Sequence, residues 1–476
     1  MEKQYYPTIG LEIHAELKTN SKMFCGCKND PDEKRPNVNI CPVCMAHPGS
    51  IPVPNKEAIR QVIRVGLAIG GAIANYSEFD RKSYFYPDIP KGYQISQFKY
   101  PIVSGGELAG MKVTRIHLEE DTATSKHDRG DYSLIDFNRA GVPLMELVTD
   151  AATFESIDDA ASHGGAFGRE YQTLLQYLEA SEANMEKGEM RVEANISISP
   201  NKEKWGTKVE VKNLNSFKSA ERAIRYELER MMELYEEGRE GEIKQETRGW
   251  DEVKQVTFSQ RSKESAADYR YFPDPDLPKF MLADLFDIEQ LRKELPELPS
   301  QKRDRYKKDY GIKETDIEAF VNDHELGVWF EKVCAVLKDA VKIKNAANYI
   351  VSDYLGLKKN DDTVTLPSPV NFAELMTLVT DGKVSSRAAK DILAMIVKED
   401  ASPNALAEKH GLLQKSDEGA LKEIAQKIID ANEKVAADYK GGKEASLQFL
   451  VGQMMKETKG SANPGVAAKI LKELLA

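Results

Sequence analysis

Apolar and polar residues alternate in three segments of the first half of the chain, at residues 7–17, 191–198 and 208–212. Successive side chains of a β-strand point to opposite faces, so this alternation predicts strands with an apolar face on a core and a polar face exposed. Such strands are typical of an antiparallel sheet. A helix with one apolar face is predicted from Ser219 to about Glu236. We therefore expect an α+β fold here, with a core built between sheet and helix.

The pattern changes at residues 295–299, which include two prolines. Beyond them apolar residues recur every three to four positions, for example in residues 421–429 and 466–475, which predicts amphipathic helices. We expect three domains: a catalytic α+β domain at residues 1–294, an all-α domain at residues 295–405 and a small helical tail domain at residues 406–476.

The composition predicts a globular protein that does not enter membranes. The chain has 476 residues, of which 41% are hydrophobic and 30% charged, and it contains no run of about 18 apolar residues. Its first residues enter a strand pattern without the apolar segment of a signal peptide, so we expect a cytoplasmic location. The net charge of -11 argues against nonspecific coating of nucleic acid. Residues 439–476, with six lysines and three glutamates, are nevertheless suited to meet a phosphate backbone.

Four of the five cysteines lie close together in the sequence, as the pairs Cys25/Cys27 and Cys41/Cys44. Two tightly spaced pairs can present four thiolates to one Zn²⁺, and a cytoplasmic protein rarely keeps disulfides. Because sulfur would fill all four coordination positions, such a zinc ion would be structural. The alternatives are reactive thiols or a disulfide pair.

Acidic residues recur on the polar faces of the predicted strands. Glu12, His14 and Glu16 share one face of the first strand, and Glu193 and Glu210 lie on the polar faces of two later strands. Carboxylates gathered on one sheet face repel each other unless a cation lies between them. Oxygen ligands with one imidazole suit Mg²⁺ or Mn²⁺ holding substrate phosphates. The alternative, natural for any one strand alone, is a solvated outer face.

A further acidic segment, Arg-Ile-His-Leu-Glu-Glu-Asp, occupies residues 115–121. In an extended chain Glu119 and Glu120 point to opposite faces, so only one of them can join a metal site directly. The periodicity does not say which. His117 is either a ligand or a hydrogen-bonded structural histidine.

The sequence contains neither of the glycine-rich signatures that cradle nucleotide phosphates. A nucleotide would therefore be held by metal and by scattered basic and aromatic groups, which residues 81–97 offer. The alternative is an aromatic-rich loop packed on the sheet. The candidates are Arg81, Lys82 and Lys91 for phosphate and Tyr84, Tyr86 and Tyr93 for stacking.

Several motifs, in order from one end of the chain to the other, resemble a single known family. They are IGLEIHAEL at residues 9–17, the whole of residues 81–97, LEED at 118–121, RVEANIS at 191–197, VKNLNSF at 211–217, DYRYFP at 268–273, DGKVSS at 381–386, FLVGQMMK at 449–456 and KGSANP at 459–464. Together they resemble the GatB family of the Glu-tRNA(Gln)/Asp-tRNA(Asn) amidotransferase, over essentially the whole chain.

The resemblance implies a cradle-shaped N-terminal domain related to glutamine synthetase, followed by a helical domain and a tail that touches tRNA. It also implies a ligase that forms C–N bonds with glutamine as the amide donor. The side-chain carboxylate of a misacylated Glu or Asp on tRNA takes the γ-phosphate of ATP, and ammonia then displaces phosphate. Ammonia comes from a separate amidase (glutaminase) subunit, and a small linker subunit completes a heterotrimer. This chain itself has no amidase-type Ser-Ser-Lys constellation.

The same resemblance implies roles for individual residues. The magnesium and phosphorylation role falls on Glu12, His14, Glu120 and Glu210, with Glu119 and Glu146 as further catalytic members. The nucleotide or the substrate end of tRNA falls to Lys82, Tyr86, Lys91, Tyr93 and Gln94. The four cysteines resemble a zinc knuckle that some members carry. After Cys44 the family more often reads Leu-Gly-Leu-Pro-Gly, whereas this chain has His47 there, which leaves His47 open as a competing ligand or a hydrogen-bond partner of sulfur.

Two other functions compete with this interpretation. Another ATP-dependent ligase, forming an acyl phosphate on a small amino acid, would not need the basic tail. A non-enzymatic zinc protein that binds tRNA would leave the acidic strand faces unexplained, because carboxylates repel phosphates unless a cation intervenes.

Overall fold

The computed structural model describes residues 4–127, 130–262, 269–414, 418–458, 462 and 464–475. The chain forms two compact units, residues 1–299 and 300–476. This division falls close to the predicted boundary at residues 294 and 295. The further division of the helical part at residues 405 and 406 stays a prediction.

The first unit contains all the strands of the described chain. Up to residue 104 these are β1 (Tyr6–Glu16), β2 (Ala72–Ile73), β3 (Tyr76–Ser77), β4 (Asp80–Ser83), β5 (Tyr93–Ser96) and β6 (Val103–Ser104). They continue with β7 (Glu107–Leu108), β8 (Met111–Glu120), β9 (Thr124–Lys126), β10 (Leu134–Asp136), β11 (Pro143–Thr149) and β12 (Ala152–Thr153). The last are β13 (Met190–Ser199), β14 (Val209–Leu214), β15 (Glu246–Asp251), β16 (Val256–Ser262), β17 (Phe272–Pro273) and β18 (Phe280–Met281).

One large sheet organises this unit, in the order β16-β15-β14-β13-β1-β11-β8-β6-β2. The pairing of β14 with β15 is parallel, and the other described pairs are antiparallel. A small sheet, β17-β4-β5, lies beside it, and side chains of β5 hydrogen-bond to the end of β8. The three alternating segments are confirmed as β1, β13 and β14, so the predicted α+β fold with a mainly antiparallel sheet is confirmed.

Helices cover the apolar face of this sheet. The first unit contains α1 (Lys56–Ala68), α2 (Ile157–Tyr177), α3 (Phe217–Glu236), α4 (Leu282–Leu285) and α5 (Ile288–Lys293). Helix α3 starts two residues before its predicted start because the Ser216 hydroxyl caps it, accepting from Ser219 N. Gly164 of α2 lets Ile224 of α3 and Ile9 of β1 approach closely. Ile9, like the apolar residues that follow it on β1, is fully buried.

The second unit is helical throughout its described elements, as predicted. It contains α6 (Pro299–Tyr310), α7 (Glu314–Asn322), α8 (His324–Leu337), α9 (Ala340–Tyr349), α10 (Leu355–Asn360), α11 (Pro369–Thr380), α12 (Ser386–Glu399), α13 (Pro403–Lys409), α14 (Glu418–Ala431), α15 (Glu433–Lys440), α16 (Ala445–Glu457) and α17 (Pro464–Leu475). Helices α14 to α17 bury the predicted amphipathic faces in a core of their own. Among the residues that the structure covers, no helix is both long and apolar enough to cross a membrane.

Candidate functional site

The polar face of β1 lies at the centre of the large sheet, between β13 and β11. His14 sits opposite Arg191 of β13 and Glu146 of β11, and Glu146 in turn sits opposite His117 of β8. The prediction that this face is exposed is wrong, since the side chains of His14 and Glu146 are only 15% and 10% exposed. The physical reason is that neighbouring strands and the β4–β5 hairpin surround the face. The sheet thus gathers ionisable groups from four strands into a partly enclosed site.

The first ionisable group consists of His14, Glu119 and Glu146. Their ligand atoms lie within 4.8 Å of one another. Glu146 Oε2 is 3.4 Å from His14 Nε2 and 3.3 Å from His117 Nε2. Ser96 Oγ donates to Glu119 at 2.6 Å, which fixes that carboxylate. An imidazole with two carboxylates is a donor set that suits Mg²⁺ or Mn²⁺.

The charges in this group reinforce one another. Burial alone would lower the pKa of His117, but the carboxylates of Glu146 and Glu119 raise it to about 9. Burial alone would raise the pKa of Glu119, but Lys82 and His117 lower it to about 2. Glu146, between two imidazoles, likewise has a pKa well below its ordinary value despite burial. Both carboxylates are therefore ionised at neutral pH, as metal ligands must be.

The second group consists of Glu12, Glu193 and Glu210, whose ligand atoms also lie within 4.8 Å of one another. Burial and the charge of Glu146 raise the pKa of Glu12. Lys212 partly neutralises the group, with its Nζ 2.7 Å from Glu193 and 3.3 Å from Glu210. Three carboxylates held so close are costly unless a cation accompanies them, so this group too is suited to a divalent ion.

A break in the sheet register shapes this second group. The pairing of β13 with β14 shifts between Val192 and Ala194, and Asn213 on the bulged strand adopts φ 59°. Bulges bend a strand and redirect its side chains. Here Lys212, adjacent to the left-handed residue, has its ammonium beside Glu193 and Glu210.

Glu119 and Glu120 are separated to opposite sides of β8, as predicted for adjacent residues. Glu119 faces His14 and Glu146. Glu120 accepts from Ile95 N at 2.9 Å and lies 2.6 Å from Lys91 Nζ. The structure therefore brings Glu119, and not Glu120, to the group that contains His14. The physical reason is the two-residue period of the strand.

The residues predicted for nucleotide or tRNA occupy three different positions. Lys82 and Gln94 line the cavity above the two carboxylate groups, and Gln94 Nε2 donates to Glu119 at 3.0 Å. Lys91 and Tyr93 line a second cavity of about 190 Å³, together with Glu120 and two of the cysteines. Tyr86, 51% exposed, is among the described side chains that line neither cavity, and it stacks on Tyr84 with ring centroids 6.0 Å apart.

The cavity above the carboxylate groups has a volume of about 330 Å³. Besides acidic residues its wall carries the cations of Lys82, Arg115, Arg191 and Lys212. Phe98 and Tyr271 form an aromatic pair at the same wall, stacked with centroids 4.4 Å apart. Such a mixture of carboxylates, cations and aromatic faces is suited to a metal-bound polyphosphate with a planar base.

Comparisons with known proteins agree with this site. Residues 7–286 match the family model described as the GatB/GatE catalytic domain, and residues 328–475 match the GatB domain. Proteins named as the GatB component of aspartyl/glutamyl-tRNA(Asn/Gln) amidotransferase are similar along the whole chain. The one from Thermotoga maritima is 40% identical over 489 residues, and the one from Persephonella marina 41% over 487, with at least 99% of each chain covered. The chain belongs to the GatB family. The resemblance that its motifs indicated is thereby confirmed.

The predicted knuckle of this family member is also assembled in space. The sulfurs of Cys25, Cys27, Cys41 and Cys44 lie within 4.8 Å of one another, and all four are free thiols. Cys44 Sγ accepts from Cys41 N at 3.0 Å. Hydrogen bonding from Cys25 lowers the pKa of Cys44 to about 5 against the effect of burial. The four sulfurs can hold one Zn²⁺ ion.

His47, exposed beside the knuckle, is not part of this four-sulfur group in the described chain. Its backbone N–H donates to Pro42 O at 2.8 Å, and its carbonyl accepts from the Ser50 hydroxyl at 2.7 Å. These bonds fix its backbone in the turn after Cys44.

Some site residues were missed because their signal was not acidic. Arg191 lies two residues before Glu193 on the same strand face, so strand alternation alone was enough to find it. It pairs with Asp121 at 3.3 Å. Lys212 and Asn195 follow the same rule on their strands, and Asn195 Nδ2 donates to Glu12 at 2.9 Å. Tyr271 belongs to the motif at residues 268–273, whose first residue, Asp268, lies outside the described residues.

Proposed function

We propose that this chain phosphorylates the side-chain carboxylate of misacylated Glu-tRNA(Gln), Asp-tRNA(Asn) or both with ATP, and amidates it with glutamine-derived ammonia. The observation that carries the proposal is the pair of carboxylate groups that face one cavity alongside four basic side chains. Membership of the GatB family supports the choice of substrate, because the relatives are named for aspartyl and glutamyl tRNA.

The chemistry explains why such a site is needed. A carboxylate resists attack by ammonia because oxide would have to leave. When a carboxylate oxygen attacks the γ-phosphorus of ATP, the bond to the β,γ-bridging oxygen breaks and ADP leaves. Ammonia nitrogen then attacks the acyl carbon, the C–O bond to phosphate breaks, and one proton is lost from nitrogen. Both the phosphoryl donor and its acceptor are anions, so the site has to counter their repulsion.

The metal ligands that we propose follow the geometry. One Mg²⁺ or Mn²⁺ ion would be held by His14, Glu119 and Glu146, and a second by the group of Glu12, Glu193 and Glu210. The donor atoms fit, since hard cations prefer carboxylate oxygen and accept an imidazole. When bound, these ions supply positive charge to the phosphate oxygens. Glu119 thus takes the metal role that the family resemblance had implied for Glu120.

The chain's own side chains complete the site. Lys82 has its ammonium 4.9 Å from the centre of the Tyr269 ring and at the cavity wall, where it can bind a phosphate oxygen. Its charge also keeps Glu119 ionised. Gln94 holds Glu119 in place. Lys91 and Tyr93, in the neighbouring cavity, are assigned to the substrate end of tRNA, and exposed Tyr86 is assigned to the same contact.

The reaction requires partners that this chain does not supply. We propose a heterotrimer with an amidase subunit that releases ammonia from glutamine and a small linker subunit. The tail at residues 406–476 would contact tRNA, supported by the excess of lysine in residues 439–476. The zinc held by the four cysteines would be structural, since four sulfurs leave no position for a substrate.

The test compares carboxylate variants in the reconstituted complex. Glu12→Gln and Glu210→Gln each remove one charge from the second group, and Glu203→Gln removes one from an exposed turn on the same unit. We expect the first two to abolish formation of Gln-tRNA or Asn-tRNA, with tRNA affinity unchanged, and the third to behave as wild type. Equal loss of tRNA binding would instead indicate the non-enzymatic tRNA-binding protein. Amidation of a free amino acid without tRNA would indicate the other ligase.

A further inference from the structure

Arg115 occupies the site face of β8, two residues before His117 and four before Glu119. Its side chain is half-buried and forms part of the wall of the 330 Å³ cavity. Val148 of β11 lies directly opposite it in the register, and Glu12 of β1 lies beyond Val148. Neighbouring strands are about 4.8 Å apart, so the Arg115 and Glu12 backbones are separated by roughly 10 Å. An apolar residue therefore stands between this guanidinium and the second carboxylate group.

Arg115 differs from the other cations of the cavity in having no partner. Lys212 lies 2.7 Å from Glu193, Arg191 lies 3.3 Å from Asp121, and Lys82 stands over the ring of Tyr269. Within the described part of the chain, no hydrogen bond, ion pair or ring contact occupies the guanidinium of Arg115.

A half-buried guanidinium without a partner is an unusual arrangement. Arginine stays charged at every working pH and carries five N–H donors, and it has lost part of its hydration here. Its planar fork matches two oxygens of a phosphate group. The carboxylates of the site already have Lys82, Lys212, Arg191 and the imidazoles as counter-charges. The anion that satisfies Arg115 therefore comes from outside the protein.

We propose that Arg115 binds a phosphate group of a substrate, and this inference rests on the proposed function. Two sources carry that chemistry, the polyphosphate of ATP and the terminal phosphodiester of the tRNA acceptor end. In both cases Arg115 is a binding residue that places the phosphate beside the groups of His14 and Glu12. It adds a contact that neither the motifs nor the acidic pattern predicted.

The experiment uses the complex with its amidase and linker subunits, with three variants. Arg115→Gln removes the guanidinium, Arg115→Lys keeps the charge but not the fork, and Lys112→Gln removes an exposed positive charge from the same strand. The KM for ATP and the KM for misacylated tRNA are measured separately, along with kcat. Binding of a non-hydrolysable ATP analogue and of uncharged tRNA is measured directly, and thermal unfolding checks that each variant folds.

We expect Arg115→Gln to raise one of the two KM values at least tenfold, with the same loss in direct binding, and Arg115→Lys to recover part of it. A rise confined to ATP assigns the polyphosphate, and a rise confined to tRNA assigns the phosphodiester. Lys112→Gln should match wild type. Unchanged KM and binding in a folded Arg115→Gln complex would overturn the inference while leaving the proposed function intact. A wild-type complex that forms no amide would instead overturn the proposed function.

Discussion

The neighbouring residues Glu119 and Glu120 allow the metal assignment to be tested by the same chemical change on opposite faces of one strand. Glu119→Gln removes a charge from the group with His14 and Glu146, and it keeps an oxygen that can accept from Ser96. Glu120→Gln keeps the acceptor for Ile95 N but leaves the Lys91 ammonium, 15% exposed, without its carboxylate. Each variant thus serves as the control for the other.

The expected magnitudes differ in kind. A divalent ion about 4 Å from a carboxylate gains roughly 8 kcal/mol at an effective dielectric constant of about 20. If about a third of this survives dehydration, losing the charge of Glu119 weakens metal binding about 100-fold. The loss of the Glu120 charge instead costs stability, about 1–3 kcal/mol, because a largely buried ammonium loses its partner.

The assay is a titration of the full chain with Mn²⁺, followed by the paramagnetic resonance signal of the free ion, together with thermal unfolding. We expect wild type to bind two ions, Glu119→Gln to lose one tight site with little change in melting temperature, and Glu120→Gln to keep both sites but melt earlier. If Glu120→Gln weakens Mn²⁺ binding as much as Glu119→Gln, the assignment of Glu119 to the metal is refuted.

Two further predictions concern the framework of the site. Cys44→Ser should release one equivalent of zinc, measured with a colorimetric chelator, and make residues 25–44 sensitive to protease while Mn²⁺ binding is kept. Loss of Mn²⁺ sites as well would show that the knuckle is not independent of the carboxylate groups. Glu227→Gln should destabilise the unit by about 2–4 kcal/mol, because buried Glu227 lies 3.4 Å from Arg248, whose side chain is only 12% exposed. Hydrogen exchange of β15 and β16 measures this, and equal protection in Glu227→Gln and the exposed control Glu229→Gln would contradict it.

The sequence was sufficient for features set by local periodicity. The strands of residues 7–17, 191–198 and 208–212 form because their apolar side chains recur at the period of two that a sheet requires. The same rule separated Glu119 from Glu120 correctly. It was not sufficient to choose between them, since the choice depends on which face of β8 turns toward β1. Periodicity is blind to that long-range pairing.

The burial of the site was the other feature beyond the reach of the pattern. The polar side chains of β1 suggested solvent, because in a sheet covered on one side the polar face is normally wet. Here the β4–β5 hairpin brings Gln94 and Ser96 onto Glu119, from more than twenty residues away in the chain. Such contacts depend on loop closure and not on local propensity.

The arrangement of charge explains why this polar face can be partly buried at all. Buried carboxylates are tolerated only when cations or hydrogen bonds accompany them. Lys212 reaches Glu193 and Glu210 next to a bulge, so that part of the compensation depends on a local departure from regular sheet geometry. Lys212 is too small a charge to neutralise three carboxylates, and the remainder defines the demand for a divalent ion. The irregularity in β14 is therefore a requirement of the site, because a regular strand would place the following side chains on the opposite faces.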